Sequence, residues 1–114
     1  MIKEEILTIC EKYGIENYTI NLDGSIDVEG SVYLFNMNLD KLPLKFNKVG
    51  GYFGCSNNNL TSLEGSPNYV GGSFSCSNNQ LISLEGYNGE CDKLYCSNKD
   101  KLVRKTKLKL IDQL

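Results

Sequence analysis

Histidine and tryptophan are absent from this chain, and Arg104 is its one arginine. Without histidine the chain lacks the side chain most often used for general acid–base work near neutral pH, and a common zinc ligand with it. A single guanidinium leaves phosphate and nucleotide recognition poorly supplied. No run of about 18 apolar residues occurs, so no membrane-spanning helix is expected. The opening MIKEEILTICEKYG carries acids where a secretory leader needs an unbroken apolar stretch. With an odd number of cysteines (Cys10, Cys55, Cys76, Cys91, Cys96), the expected setting is a reducing cytoplasm.

What is present is a surplus of turn formers, with 11 glycines and many asparagines and serines, so the chain bends often. Apolar residues make up 40 % and charged residues 23 %, proportions of a folded protein, and 114 residues suffice for one core. The net charge of −2 argues for no nucleic-acid or membrane partner. Its distribution is uneven. Residues 1–40 hold two lysines against eight acids, net −6, and the other 74 residues are therefore +4. Much of that excess lies in Lys99, Lys101, Arg104, Lys105, Lys107 and Lys109. One end is acidic and the other basic.

GYFGCSNNNLTSLEG (51–65) and GSFSCSNNQLISLEG (72–86) match at most positions when shifted by 21. The same frame finds a partial copy in GSVYLFNMNLDKL (30–42) and a degenerate one in KLYCSNKDKLVRK (93–105). Phe53 and Cys55, like Phe74 and Cys76, alternate inward on a short strand. Asn58 and Asn79 fall where the chain leaves the strand, and a column of amides there can satisfy backbone groups of the turn. Leu60 with Leu63, and Leu81 with Leu84, then fill the interior. A period of 20 to 21 leaves no room for a full helix on the return path, which is expected to be extended or turn-like.

The spacing resembles the leucine-rich-repeat pattern L-x-L-x-x-N/C-x-L-x-x-L over residues 30–102. The expected fold is mainly β, a short leucine-rich-repeat-like solenoid of about four coils. The wording CSNN-x-L-x-SLEG with SPNYVGG, and NYTINLDGSIDV at 17–28, is similar to small proteins encoded by tailed phages. That resemblance implies a phage or prophage origin and a bacterial cytoplasm, and implies no biochemical activity.

Residues 1–29 are expected to form a cap. Ile2, Ile6, Ile9 or Cys10, and Tyr13 make one apolar face of a short helix that Gly14 ends. Tyr18, Ile20 and Leu22 alternate, Asp23-Gly24 turns the chain, and Ile26 and Val28 alternate back, a hairpin covering the open edge of the first coil. Residues 103–114 are expected to be a basic cap or tail, with an acidic partner the alternative.

Most chemical constellations dissolve on inspection. Cys55, Cys76 and Cys96 are explained by the repeat, and spacings of 21 and 20 resemble no zinc motif. Cys91, outside the repeat pattern, is a weak candidate for a regulatory thiol. Asp23, Asp27 and Glu29 belong to a hairpin turn without a calcium ion, and Glu64 and Glu85 form a solubilising row. Gly50-Gly51 and Gly71-Gly72 precede strands rather than open helices, so they are no phosphate loop. Neither an enzyme, nor a metal, nor a cofactor is expected.

The outward strand positions remain. Tyr33, Phe35, Tyr52 and Tyr95 are candidate anchors around a trough that includes Ser73 and Ser75, since tyrosine offers rigid contact area with a polar tip. The bland alternative is that these rings only pack on one another. The leading function is a non-enzymatic module binding a host or phage protein, and the resemblance to phage proteins implies inhibition of an antiviral defence as its purpose. Alternatives are a small-ligand or nucleotide-signal sequestering protein and a virion accessory protein. A homo-oligomer through the solenoid ends is open.

Overall fold

The 21-residue offset of the repeat is the offset between hydrogen-bonded strands, Val32 pairing with Phe53 and Phe53 with Phe74, in a computed structural model that describes residues 1–84, 87 and 89–97. One helix, α1 (Lys3–Lys12), precedes eight short strands: β1 (Tyr18–Ile20), β2 (Ile26–Val28), β3 (Val32–Tyr33), β4 (Phe46–Val49), β5 (Phe53–Gly54), β6 (Tyr69–Val70), β7 (Ser73–Ser75) and β8 (Lys93–Tyr95). They form two four-stranded sheets, ordered β1-β2-β4-β6 and β3-β5-β7-β8. All pairs are parallel except β1 with β2. The chain is a mainly β solenoid of about three turns, each contributing one strand to either sheet. A further rung begins with the Tyr69–Glu90 bridge and β8.

The return path is extended, as expected, and it is also paired from coil to coil. β4 and β6 make it a second parallel sheet, the first sheet of the topology above, because Val49 and Val70 bury their side chains and their backbones pair one coil up. Strands of two to four residues are too short to show alternation in a sequence. The Gly pairs make the corner between the sheets, where coils touch through bare backbone. A β-carbon on Gly71 would overlap the Gly50 carbonyl, so nothing larger than glycine fits there.

Between the sheets runs one apolar column. Val32, Leu34, Phe53, Cys55, Leu60, Leu63, Phe74, Cys76 and Leu84 are buried as the repeat requires. Leu81 is the correction: it is only half-buried against this cluster, since among the described residues no coil lies beyond it to cover it as Leu81 covers Leu60. Rings stack through the middle, with Phe46–Phe53 and Phe53–Phe74 centroids 5.0 Å apart and Phe74–Tyr87 5.3 Å. The tilted and edge-on geometries are those favoured by ring quadrupoles.

Asn58 is buried among these apolar side chains, as Ser25, Ser56 and Ser66 are elsewhere among the described residues. Its Nδ2 donates to the Leu34 carbonyl at 2.7 Å and the Cys55 carbonyl at 3.0 Å. Its Oδ1 accepts the Met37 and Leu39 amides at 3.0 and 3.1 Å. Asn79 repeats the motif one coil on, bonding the Cys55 and Cys76 carbonyls and the Leu60 amide. The preceding asparagines matter for another reason. Asn36, Asn57 and Asn78 have φ of 53°, 59° and 56°, the left-handed conformation that asparagine tolerates better than other side chains.

At the N-terminal end α1 buries Ile6 and Cys10, while Ile2, at the cap position, is exposed. The hairpin does more than cover a coil. β2 is itself the first rung, pairing parallel with β4, and β1 is the outer edge. Leu22 is fully exposed rather than inward, because the turn has begun where it stands. The basic segment 103–114, the end of the fourth copy and Glu85 lie outside the described residues.

Candidate functional site

Strand parity sets the outer face of the sheet β3-β5-β7-β8. Val32, Phe53, Phe74 and Leu94 share one inward column, so the next column, Tyr33, Gly54, Ser75 and Tyr95, points outward. Tyr52, Ser73 and Lys93 make a neighbouring outward row. All six candidate residues, Tyr33, Phe35, Tyr52, Ser73, Ser75 and Tyr95, therefore lie on one face.

Three of them touch. The ring centroids are 6.1 Å apart for Tyr33–Phe35, 5.7 Å for Tyr33–Tyr52 and 5.9 Å for Phe35–Tyr52, all tilted. The cluster exists because Gly54 has no side chain: Phe35 and Tyr52 occupy the space a β-carbon would need. Tyr33 is 59 % exposed, whereas Phe35 and Tyr52 are half-buried. Tyr95 stands apart. Three rungs separate it from Tyr33, about 14 Å at the usual strand spacing. It is 46 % exposed, with the Lys93 ammonium 5.2 Å from its ring centroid. Lys93 is the one charge among these outward positions.

The serines between these rings are structural as well as superficial. The Ser56 and Ser75 hydroxyls are 2.6 Å apart, and Ser56 Oγ accepts the Ser77 amide at 3.1 Å. Ser31 Oγ accepts the Tyr52 amide at 2.9 Å and Ser97 Oγ the Asn78 amide at 3.0 Å. Several of the serines on this face thus already tie coil to coil through their hydroxyls. Ser73 is half-buried beside them.

A second polar line crosses the other sheet. Asp27 Oδ1 accepts from Asn21 Nδ2 at 3.2 Å and Asn47 Nδ2 at 2.9 Å, and Asn47 Oδ1 accepts from Asn68 Nδ2 at 3.0 Å. Burial works to raise the Asp27 carboxyl, but the bonds from Asn47 and Asn21 outweigh it and hold its pKa below the usual value. Asn47 and Asn68 are one repeat apart, a signal visible in the sequence only once those residues are known to face the same way. Asp23 belongs to the hairpin, its carboxylate accepting the Ser25 hydroxyl at 2.6 Å and amide at 2.9 Å, with Lys45 at 3.1 Å.

The five cysteines are all thiols. Burial, reinforced by the nearby Cys96, pushes Cys55 up to about 12. Cys76 is raised by its hydrogen bond with Cys96 and by burial, so neither is a thiolate near neutral pH. Cys91 lies 3.2 Å from the Tyr87 hydroxyl. Among the described residues no group of three or more metal-ligating side chains converges, and no helix is long and apolar enough to cross a membrane. Rings, hydroxyls and one ammonium equip the outer face for stacking and hydrogen bonding. No family model matches the chain, and neither the curated proteins nor the solved structures yielded a match.

Proposed function

We propose that this chain is a non-enzymatic, phage-encoded module that binds a host or phage protein through the outer face of the sheet β3-β5-β7-β8. The observation that carries the reading is the Tyr33–Phe35–Tyr52 cluster, an aromatic surface of the kind enriched at protein interfaces, left partly open to solvent. The module is of a leucine-rich-repeat-like kind with four copies of its repeat, a reading supported by the burial of Phe53, Cys55, Leu60 and Leu63 at the spacing that pattern requires. Five unbridged thiols support action in the bacterial cytoplasm. Inhibition of an antiviral defence is the purpose that a phage origin favours.

The test is a pull-down with the full chain from infected and uninfected bacterial lysates, followed by affinity and melting measurements on Tyr33→Ala, Tyr52→Ala and Tyr95→Ala against the captured partner. Each variant is expected to bind more than about tenfold more weakly. Tyr33→Ala and Tyr95→Ala should melt close to the parent, because truncating an exposed side chain changes stability by only about 0.5 kcal/mol. Normal binding by all three sinks the assignment; early melting of all three returns these rings to mere packing.

A further inference from the structure

Among the described residues no strand pairs with the outer edge of β1. Asn21 donates to the Ser25 carbonyl and Glu29 to the Asn17 carbonyl, so odd-numbered residues of this stretch pair with β2. By the alternation of an antiparallel ladder, the backbone N–H and C=O of Tyr18 and Ile20 point the other way, where no described strand lies. Natural edges are usually blunted by proline, lysine or a bulge, and Tyr18–Ile20 carries none of these. Beside the edge runs a groove lined by Lys3, Leu7, Tyr18, Thr19 and Ile20, with Leu7 and Leu22 exposed nearby.

The surroundings are acidic. Glu11 and Glu16 line the depression next to Tyr18, and Glu29 follows through its bond to Asn17. Lys3 is the opposing charge in the groove, and Lys45 is engaged by Asp23. Pairing β1 with β1 of another copy would bring these acids together. A basic strand is the complementary occupant, and the chain contains one in its sequence: Lys105, Lys107 and Lys109 alternate with Thr106, Leu108 and Leu110.

The geometry points to a head-to-tail assembly in which residues 105–111 of one copy add as a strand to the β1 edge of the next. Leucines at alternate positions meet the apolar groove, and the lysines face the acidic rim. Pairing within one chain would demand an almost straight linker, which disfavours it against pairing between copies. From β8 to the position beyond β1 is five rungs, about 24 Å, and the sheets lie about 10 Å apart. Residues 96–104 span at most about 32 Å when fully extended, which leaves little slack for a route around the surface. The contact is heterologous, so it propagates rather than closing in a pair. It does not depend on the aromatic face.

Sedimentation velocity of the full chain, run up to roughly 1 mM, tests this. The parent chain is expected to form species larger than dimers with rising concentration, and to dissociate as salt rises from about 0.05 to about 0.5 M. Two variants, Glu11→Lys with Glu16→Lys, and Lys105→Glu with Lys107→Glu and Lys109→Glu, should each lose self-association more than about tenfold while keeping the parent's circular dichroism and melting temperature. Mixed together, they should regain growth beyond dimers, because the tail of each variant matches the edge of the other. A parent chain that stays monomeric, a discrete dimer, association indifferent to the lysine reversals, or failure of the mixture to pair overturns the proposal.

Discussion

The ring of Phe35 rests on Gly54, in the space where any other residue at that position would place its side chain. The aromatic cluster on the outer face is thus a consequence of one missing β-carbon. In Gly54→Ala, Phe35 and Tyr52 must swing away, which their flexible side chains permit. The expected result is a stability change below about 1 kcal/mol together with a clear change in near-ultraviolet circular dichroism from the displaced tyrosines.

Gly71→Ala should behave otherwise, although the substitution is the same. Its new methyl meets the Gly50 carbonyl, a backbone atom held by the coil below, and there is no side chain to move. A loss of roughly 2 kcal/mol or more is expected by urea unfolding. Equal losses at positions 54 and 71 would contradict this account of the corner.

Asn58→Ala removes both sides of a buried amide. The carbonyls of Leu34 and Cys55 and the amides of Met37 and Leu39 lose their partner together. Each buried orphan costs about 1 to 3 kcal/mol, so a loss of at least about 4 kcal/mol is expected, a large part of a total of roughly 5 to 15 kcal/mol. Asn79→Ala, at a half-buried site, should cost less in the same denaturation series, since water can replace part of what is lost.

Leu60→Ala and Leu63→Ala, at fully buried positions, should each cost roughly 2 to 5 kcal/mol. Leu81→Ala should fall below both, because its side chain already meets solvent. Chemical denaturation of the three variants under one set of conditions checks the order.

The hairpin should show a specific acid sensitivity. Hydrogen bonds from the Ser25 hydroxyl and amide, then from Lys45, hold the Asp23 carboxyl at about 2, below its unfolded value of about 3.9. Because the folded state favours the carboxylate, the contribution is complete above about pH 4 and is lost as pH falls through about 2. Asp23→Asn should lower the melting temperature near neutral pH, and the difference from the parent should shrink as pH falls across that window. A constant difference from pH 7 to 2 would contradict the assignment.

Side-chain identity alone determined the period, the inward column of Phe53, Cys55, Phe74 and Cys76, and the placement of Tyr33, Tyr52 and Tyr95 on the opposite side. These follow from local alternation, which a sequence displays directly. Tertiary structure decided the rest. The second sheet depends on pairing between residues about 21 apart in strands too short to announce themselves. Whether Tyr33 meets Phe35 and Tyr52 depends on which coil lies above, and so on Gly54. Leu22 and Leu81 were misplaced because burial is a property of what covers a residue, and cover is missing where the turn begins at one position and where no described coil lies beyond the other.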